Sequence, residues 1–174
     1  MKTKDVSVVT TYLAMHQKPS IETLAMPPDC VIIRAENPTV KFYRFLYDAV
    51  GADWNWIDRK KMADEELAEE TQDALVEVYV LYDRGVPAGY AEIDRRIAGE
   101  IELKYFGIIP EFISKRYGRF LLTWIIEKAW QYKPQRFWVH TCSLDHPRAL
   151  PLYQKLGFEI YKTETHTVTI PEVL

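Results

Sequence analysis

The chain has 174 residues, of which 48% are hydrophobic and 27% charged, with a formal net charge of −3. This length suits one domain with a buried core, and the composition is that of a globular protein, not a disordered or fibrous one. The acidic balance gives no basic face for nucleic acid, no apolar run nears the roughly 20 residues that span a bilayer, and Cys30 and Cys142 are too few for a disulfide scaffold.

The opening stretch, MKTKDVSVVTTYLAM, soon alternates polar and apolar residues, so it lacks the continuous apolar region of a signal peptide. A cytoplasmic location is expected, with no nucleic-acid or membrane partner. A strand over 7–15 and a second over 30–36 are joined by a linker, 16–29. Phe42, Phe45, Leu46, Ala49 and Val50 recur with helical spacing, and Gly51 reads as a left-handed stop. An aromatic loop (52–60) leads to an acidic, mostly solvent-facing helix over 62–75. Strands over 76–83 and 88–97 flank the turn signal RGVP, and a third strand covers 101–109. A helix over 118–132 carries the apolar stripe Leu121, Leu122, Ile125, Ile126, Ala129 and Trp130. A strand (136–144), a short helix (147–157) and a last strand (159–170) complete the chain. This order predicts an α+β fold: a mixed, mostly antiparallel central sheet with one parallel strand–helix–strand crossover and helices on both faces. A single domain over 1–174 is expected, its N-terminal segment 1–36 packing on the core or extending it.

The crossover brings the end of strand 101–109, the loop 110–117 and a helix N-terminus to one rim. Unpaired N–H groups and the positive end of a helix dipole suit such a rim to phosphate. Gly118 permits close backbone approach, and Lys115, Arg116 and Arg119 add cations. A solvated helix end is the plainer reading of the same charges.

The stretch TCSLDHPRALPLYQKLGFEIY (141–161) sharpens this. Its core, Ala149, Leu152, Tyr153, Lys155, Gly157 and Phe158, resembles the signature of the Gcn5-related N-acetyltransferase superfamily. The order of elements over about residues 30 to 170 is similar to that fold as well.

The resemblance implies acetyl-coenzyme A as donor, an amine of a small molecule or peptide as acceptor, and direct attack in a ternary complex. It also implies a sheet splayed between strands 101–109 and 136–144. The coenzyme arm is then expected at the backbone of Ile108 and Ile109, and the pyrophosphate at Ile113, Ser114, Lys115, Arg116, Tyr117, Gly118 and Arg119. The superfamily's loop pattern is Gln or Arg, two residues, Gly, one residue, then Gly or Ala. Here Ile113 stands at the first position and Arg116 at the first glycine, so two of the three positions depart from it. Asp145 and His146 fall where the superfamily often contacts the coenzyme.

Tyr153 takes the position of the proton donor to the leaving thiolate, its plainer role being to pack on the coenzyme arm. Glu102 precedes Ile113 by eleven residues, the offset of the catalytic glutamate in histone-acetylating members, and is the candidate base. It is read as sharing a strand face with Lys104 and Phe106, and its plainer reading is a partner for Lys104 or Arg95. A water chain is a further possibility for the base, and Glu92 is a reserve. Trp54, Trp56 and Glu92 are the expected substrate contacts, with Asp53 and Asp58 nearby, although the tryptophans could equally cap the core.

His140, Cys142 and His146 match no common zinc spacing, so no metal is expected. A thiol nucleophile at Cys142 is set aside because such a residue reads as a small buried hydrophobe. A homodimer is consistent with the superfamily. The rival reading is a degenerate, non-catalytic module that binds coenzyme A or a protein partner.

Overall fold

Period-two alternation in the strands and two apolar helix faces produce one seven-stranded sheet covered on both sides. The computed structural model describes residues 3–171; the first two and last three residues of the expected domain lie outside them. The strands are β1 (Thr3–Met15), β2 (Cys30–Arg34), β3 (Val76–Asp83), β4 (Val86–Asp94), β5 (Glu100–Ile108), β6 (Arg136–Cys142) and β7 (Glu159–Pro171). The helices are α1 (Val40–Gly51), α2 (Asp58–Lys61), α3 (Asp64–Thr71), α4 (Tyr117–Trp130) and α5 (Ala149–Lys155).

The sheet order is β2-β3-β4-β5-β6-β1-β7, and β5–β6 is its parallel pair. Arg84 and Gly85 both have positive φ at the β3–β4 turn, the conformation that matches the twist of a two-residue hairpin. α1 starts at Thr39, whose hydroxyl accepts the Phe42 N–H at 3.3 Å. It buries Tyr43, Leu46, Tyr47 and Val50 against Val78, Val80 and Tyr90 on one face of the sheet. On the other face α4 buries Leu121, Leu122, Ile125 and Ile126 against Leu103, Phe137 and Val139. Each such side chain contributes about 1.5–3 kcal/mol by leaving water, so the two helices clamp the sheet firmly.

The N-terminal segment divides. β1 enters the sheet between β6 and β7, antiparallel to both, while β2 forms the opposite edge beside β3. Parallel pairing of β5 with β6 runs only from Glu100↔Arg136 to Leu103↔Val139. Beyond it β5 follows β4 to Ile108 and β6 follows β1 to Cys142, so the two strands part and open the sheet.

Three expectations are corrected. Gly51 is not a left-handed stop: its φ is −96°, the chain continues into a 3₁₀ turn over Ala52–Trp54, and the left-handed residue is Asn55. A Cβ on Gly51 would collide with Trp56, so glycine is needed there for packing. The segment 62–75 is helical only over α3, and the separate turn α2 precedes it. Phe106 does not share a face with Glu102 and Lys104. A bulge opposite Glu92/Ile93 inserts Lys104, returning Phe106 to the α4 side with Leu103 and leaving Tyr105 on the α1 side.

Candidate active site

The parted strands open a cavity of about 970 Å³ that runs through the sheet from the α4 N-terminus to the α1 side. At its first end, α4 has no side-chain cap, so its first N–H groups gain no side-chain partner there. Arg116, Gly118 and Arg119 line this end together with Ile108 and Ile113. Arg116 has φ 60° and ψ 18°, the left-handed conformation that favours glycine. Arg116, one of the two residues that depart from the loop pattern, therefore keeps the backbone geometry that a glycine serves. A Cβ on Gly118 would meet Ile108 and Leu152 at 3.7 and 4.0 Å, ordinary contact distances, so the wall of the passage stands right beside this glycine.

The rest of the loop faces backwards. Lys115 Nζ lies 2.6 Å from Asp83 Oδ2, and the Tyr117 hydroxyl donates to the same oxygen at 2.9 Å. Ile109 is buried in the α1-side core and its N–H donates to Ala88 O at 2.9 Å. Ile109, Ser114, Lys115 and Tyr117 do not line the cavity. Arg119 does, 3.7 Å from Glu22.

Tyr153 lines the middle of the cavity from α5. Its ring packs against Phe106 and Phe158. Burial, and then the charge of Asp145, raise its pKa well above the ordinary phenol range. At neutral pH it is thus a protonated phenol, the form that can donate. Asp145, in the turn after β6, accepts from Thr141 Oγ1 at 2.7 Å, the Cys142 N–H at 2.9 Å and Trp56 Nε1 at 3.2 Å. His146 lies under Trp54, ring centroids 4.8 Å apart, and its Nδ1 accepts the Arg148 N–H.

The chamber on the α1 side is walled by Tyr47, Trp54, Trp56 and Tyr105, with Asp58, Lys104 and His140 at its polar side. Glu102 does not line it; its carboxylate lies 3.1 Å from Lys104 Nζ and 3.5 Å from His140 Nδ1. Glu92 does not line it either. It is 1% exposed and accepts from the Tyr43 hydroxyl and from Arg59 Nη2 at 2.9 Å. Burial raises its pKa, and the charge of Arg59 offsets only part of that rise.

Thr10 and Val8 of β1 and His166 of β7 also line the chamber. No local pattern marks them, because they arrive only through the insertion of β1. Among the described residues no three His, Cys, Asp or Glu side chains gather as metal ligands. None of the described helices is long and apolar enough to cross a membrane.

A sheet parted at β5/β6, with a helix N-terminus at one end of the opening, defines the class of fold: that of acetyl-group transferases built on a splayed mixed sheet. Residues 42–158 match the family model described as the acetyltransferase (GNAT) family, and the chain belongs to that family. No curated protein matches the chain. Among solved structures, a GCN5-related N-acetyltransferase from Sphaerobacter thermophilus is similar at 14% identity and TM-score 0.67, over 97% of this chain and 52% of that one. A functionally unknown conserved protein from Staphylococcus epidermidis is similar at 16% identity and TM-score 0.64, over 95% of this chain and 62% of that one. An IAA acetyltransferase from Bacillus cereus is similar at 21% identity and TM-score 0.59, over 76% of this chain and 79% of that one. The chain thus spans less than two thirds of the length of the first two.

Proposed function

We propose that the protein moves an acetyl group from acetyl-coenzyme A to a primary amine of a small molecule or peptide, by direct attack in a ternary complex. One observation carries this reading: a single cavity joins an uncapped helix N-terminus to an aromatic chamber through the break in the sheet. The first end fits the anionic part of a coenzyme, since α4 offers free N–H groups beside the Arg116 and Arg119 guanidiniums. Ile108, Ile113 and Gly118 shape the passage. When bound, the coenzyme supplies a thioester whose carbonyl is open to attack.

In this reading Tyr153 holds the proton that the departing thiolate takes, and its raised pKa keeps that proton in place until then. Asp145 and His146 hold the wall between coenzyme and acceptor ends. Trp54 and Trp56 enclose the acceptor, with Asp58 as the carboxylate at the chamber. The substrate role expected of Glu92 passes to these residues, because Glu92 is enclosed with Arg59 and Tyr43.

Calorimetry with acetyl-coenzyme A tests the reading. The parent protein is expected to bind, and Gly118→Trp, which fills the passage beside Ile108 and Leu152, to lose binding. Tyr153→Phe is expected to bind normally and to release thiol about 10²-fold more slowly with an accepted amine. A folded parent that does not bind would instead favour a non-catalytic module.

A further inference from the structure

We propose that His140 takes the proton from the acceptor amine and that Glu102 positions its imidazole, an assignment that rests on the acetyl-transfer reading above. Glu102 is 9% exposed and lies on the α1-side face of β5, outside the cavity lining. Two side chains that do line the cavity close on its carboxylate: Lys104 Nζ at 3.1 Å from Oε2, and His140 Nδ1 at 3.5 Å from Oε1. His140 is the first residue of β6 beyond the last parallel pair, Leu103↔Val139, so it stands where the strands part. Its side chain is 44% exposed. With Nδ1 turned towards Glu102, the other ring nitrogen, Nε2, is left for the cavity. The 3.5 Å separation is longer than a formed hydrogen bond, and such pairs commonly tighten only when substrate arrives.

The placement of His140 relative to Tyr153 suits the chemistry. Tyr153 packs in the α4-side cluster with Phe106 and Phe158. His140 lies on the opposite face of the sheet, beside Trp138 and Tyr12. Proton donor and proton acceptor therefore flank the opening from its two sides. An amine entering from the aromatic chamber meets His140 first, and the thiolate leaves towards Tyr153.

Other groups at the chamber suit the role less well. Lys104 is held by Glu102. Burial and the charge of Asp145 raise the Cys142 thiol above its ordinary range, and burial does the same to the Tyr105 phenol. His146 already uses Nδ1 to accept a backbone N–H.

The charged and titratable groups around His140 are Glu102 and Lys104 on β5, Tyr12 on β1, Cys142 on its own strand and Asp58 across the cavity. Behind Tyr12, Glu164 accepts its hydroxyl at 2.9 Å, and Lys162 Nζ sits 5.1 Å from its ring centroid.

The acceptor ammonium gives one proton to Nε2, which passes it to solvent. The freed amine forms the C–N bond to the thioester carbon and the C–S bond breaks. The thiolate takes the Tyr153 proton, and the second proton lost by the adduct nitrogen returns to the phenolate through water. The net products are amide, thiol and one proton.

Two measurements test the assignment. Ring-nitrogen NMR of histidine-labelled protein in mildly alkaline buffer should show His140 protonated at Nδ1 and bare at Nε2, a preference that Glu102→Leu, which keeps no acceptor, should remove. Thiol release from acetyl-coenzyme A with phenethylamine as probe acceptor should rise with pH as the base loses its proton. His140→Gln should flatten that limb and lower kcat about 10²-fold with little change in the KM for acetyl-coenzyme A. Glu102→Gln should lower kcat but keep the limb. A His140 protonated at Nε2, or a limb lost in Glu102→Gln but kept in His140→Gln, would overturn the assignment. The spectra need no turnover, so they decide it even if this amine is a poor acceptor. Failure of the parent to bind acetyl-coenzyme A in calorimetry removes the acetyl-transfer reading and this step together, whereas normal binding with the wrong tautomer removes His140 alone.

Discussion

Trp56 donates its indole N–H to Asp145 Oδ1 at 3.2 Å, joining the loop after α1 to the turn after β6 across 89 positions of sequence. The other Asp145 oxygen accepts from Thr141 and from the Cys142 N–H, so one carboxylate ties both walls of the cavity. Asp145→Ala should therefore cost on the order of 3 kcal/mol, because three donors lose a charged acceptor. Urea unfolding measures this; a loss under about 1 kcal/mol would mean that water replaces the carboxylate readily.

Arg116 combines a left-handed backbone with a cation at the cavity mouth, and two substitutions separate these properties. Arg116→Gly should relieve backbone strain and gain up to about 1 kcal/mol of stability, part of the relief being offset by the freer unfolded chain. Arg116→Ala should gain nothing. Both should weaken acetyl-coenzyme A binding to a similar degree in calorimetry, since both remove the guanidinium. Full affinity in either variant would assign anion binding to the α4 amides and Arg119.

Arg59 and Glu92 form a buried ion pair, with side chains 5% and 1% exposed. Removing one partner strands a charge away from water, so Arg59→Met should cost about 3–5 kcal/mol. In Arg59→Met/Glu92→Gln no buried charge remains, and the amide oxygen can still accept from Tyr43, so at least half of that loss should return. Chemical denaturation of the single and double variants gives the comparison. Additive losses would show that the pair contributes no coupling.

Glu77 governs a pH effect. Its carboxylate is fully buried, which by itself would raise its pKa, but bonds from Tyr79 at 2.6 Å and Tyr132 at 2.7 Å and the charges of Arg95 and Arg34 outweigh burial and lower it. A folded pKa below the unfolded value of about 4.3 gives stability that is present above that pH and lost as pH falls through the folded value. Glu70, Asp83, Asp94 and Glu164 are lowered too and act in the same direction, whereas Glu92 is raised and acts in the opposite one. The melting temperature should thus fall as pH drops below about 4. Glu77→Gln should melt lower at neutral pH and show a shallower acid decline; an unchanged slope would assign that decline to the other lowered carboxylates.

Much of the fold was legible because it depends on short-range periodicity. The apolar stripe of α4, the RGVP turn and the stretch from Ala149 to Phe158 each declare their structure within a dozen or so residues. The same locality exposed Tyr153, Gly118 and the uncapped helix end beside it. Other features were hidden. Strict alternation placed Phe106 with Glu102, and only pairing with β4 revealed the bulge at Lys104 that separates them. Gly51 read as a helix stop, yet its missing Cβ makes room for the Trp56 indole.

The sequence by itself therefore determined the elements, their order and the chemistry available along the passage, since propensity, capping and side-chain type act over a few residues. Tertiary structure alone decided which groups meet: that β1 enters between β6 and β7, that Lys115 turns back to Asp83, that Glu92 is enclosed with Arg59, and that His140 stands between Glu102 and the cavity. Those outcomes rest on strand register and long-range packing, where one inserted residue or one inserted strand changes every neighbour and leaves no local trace.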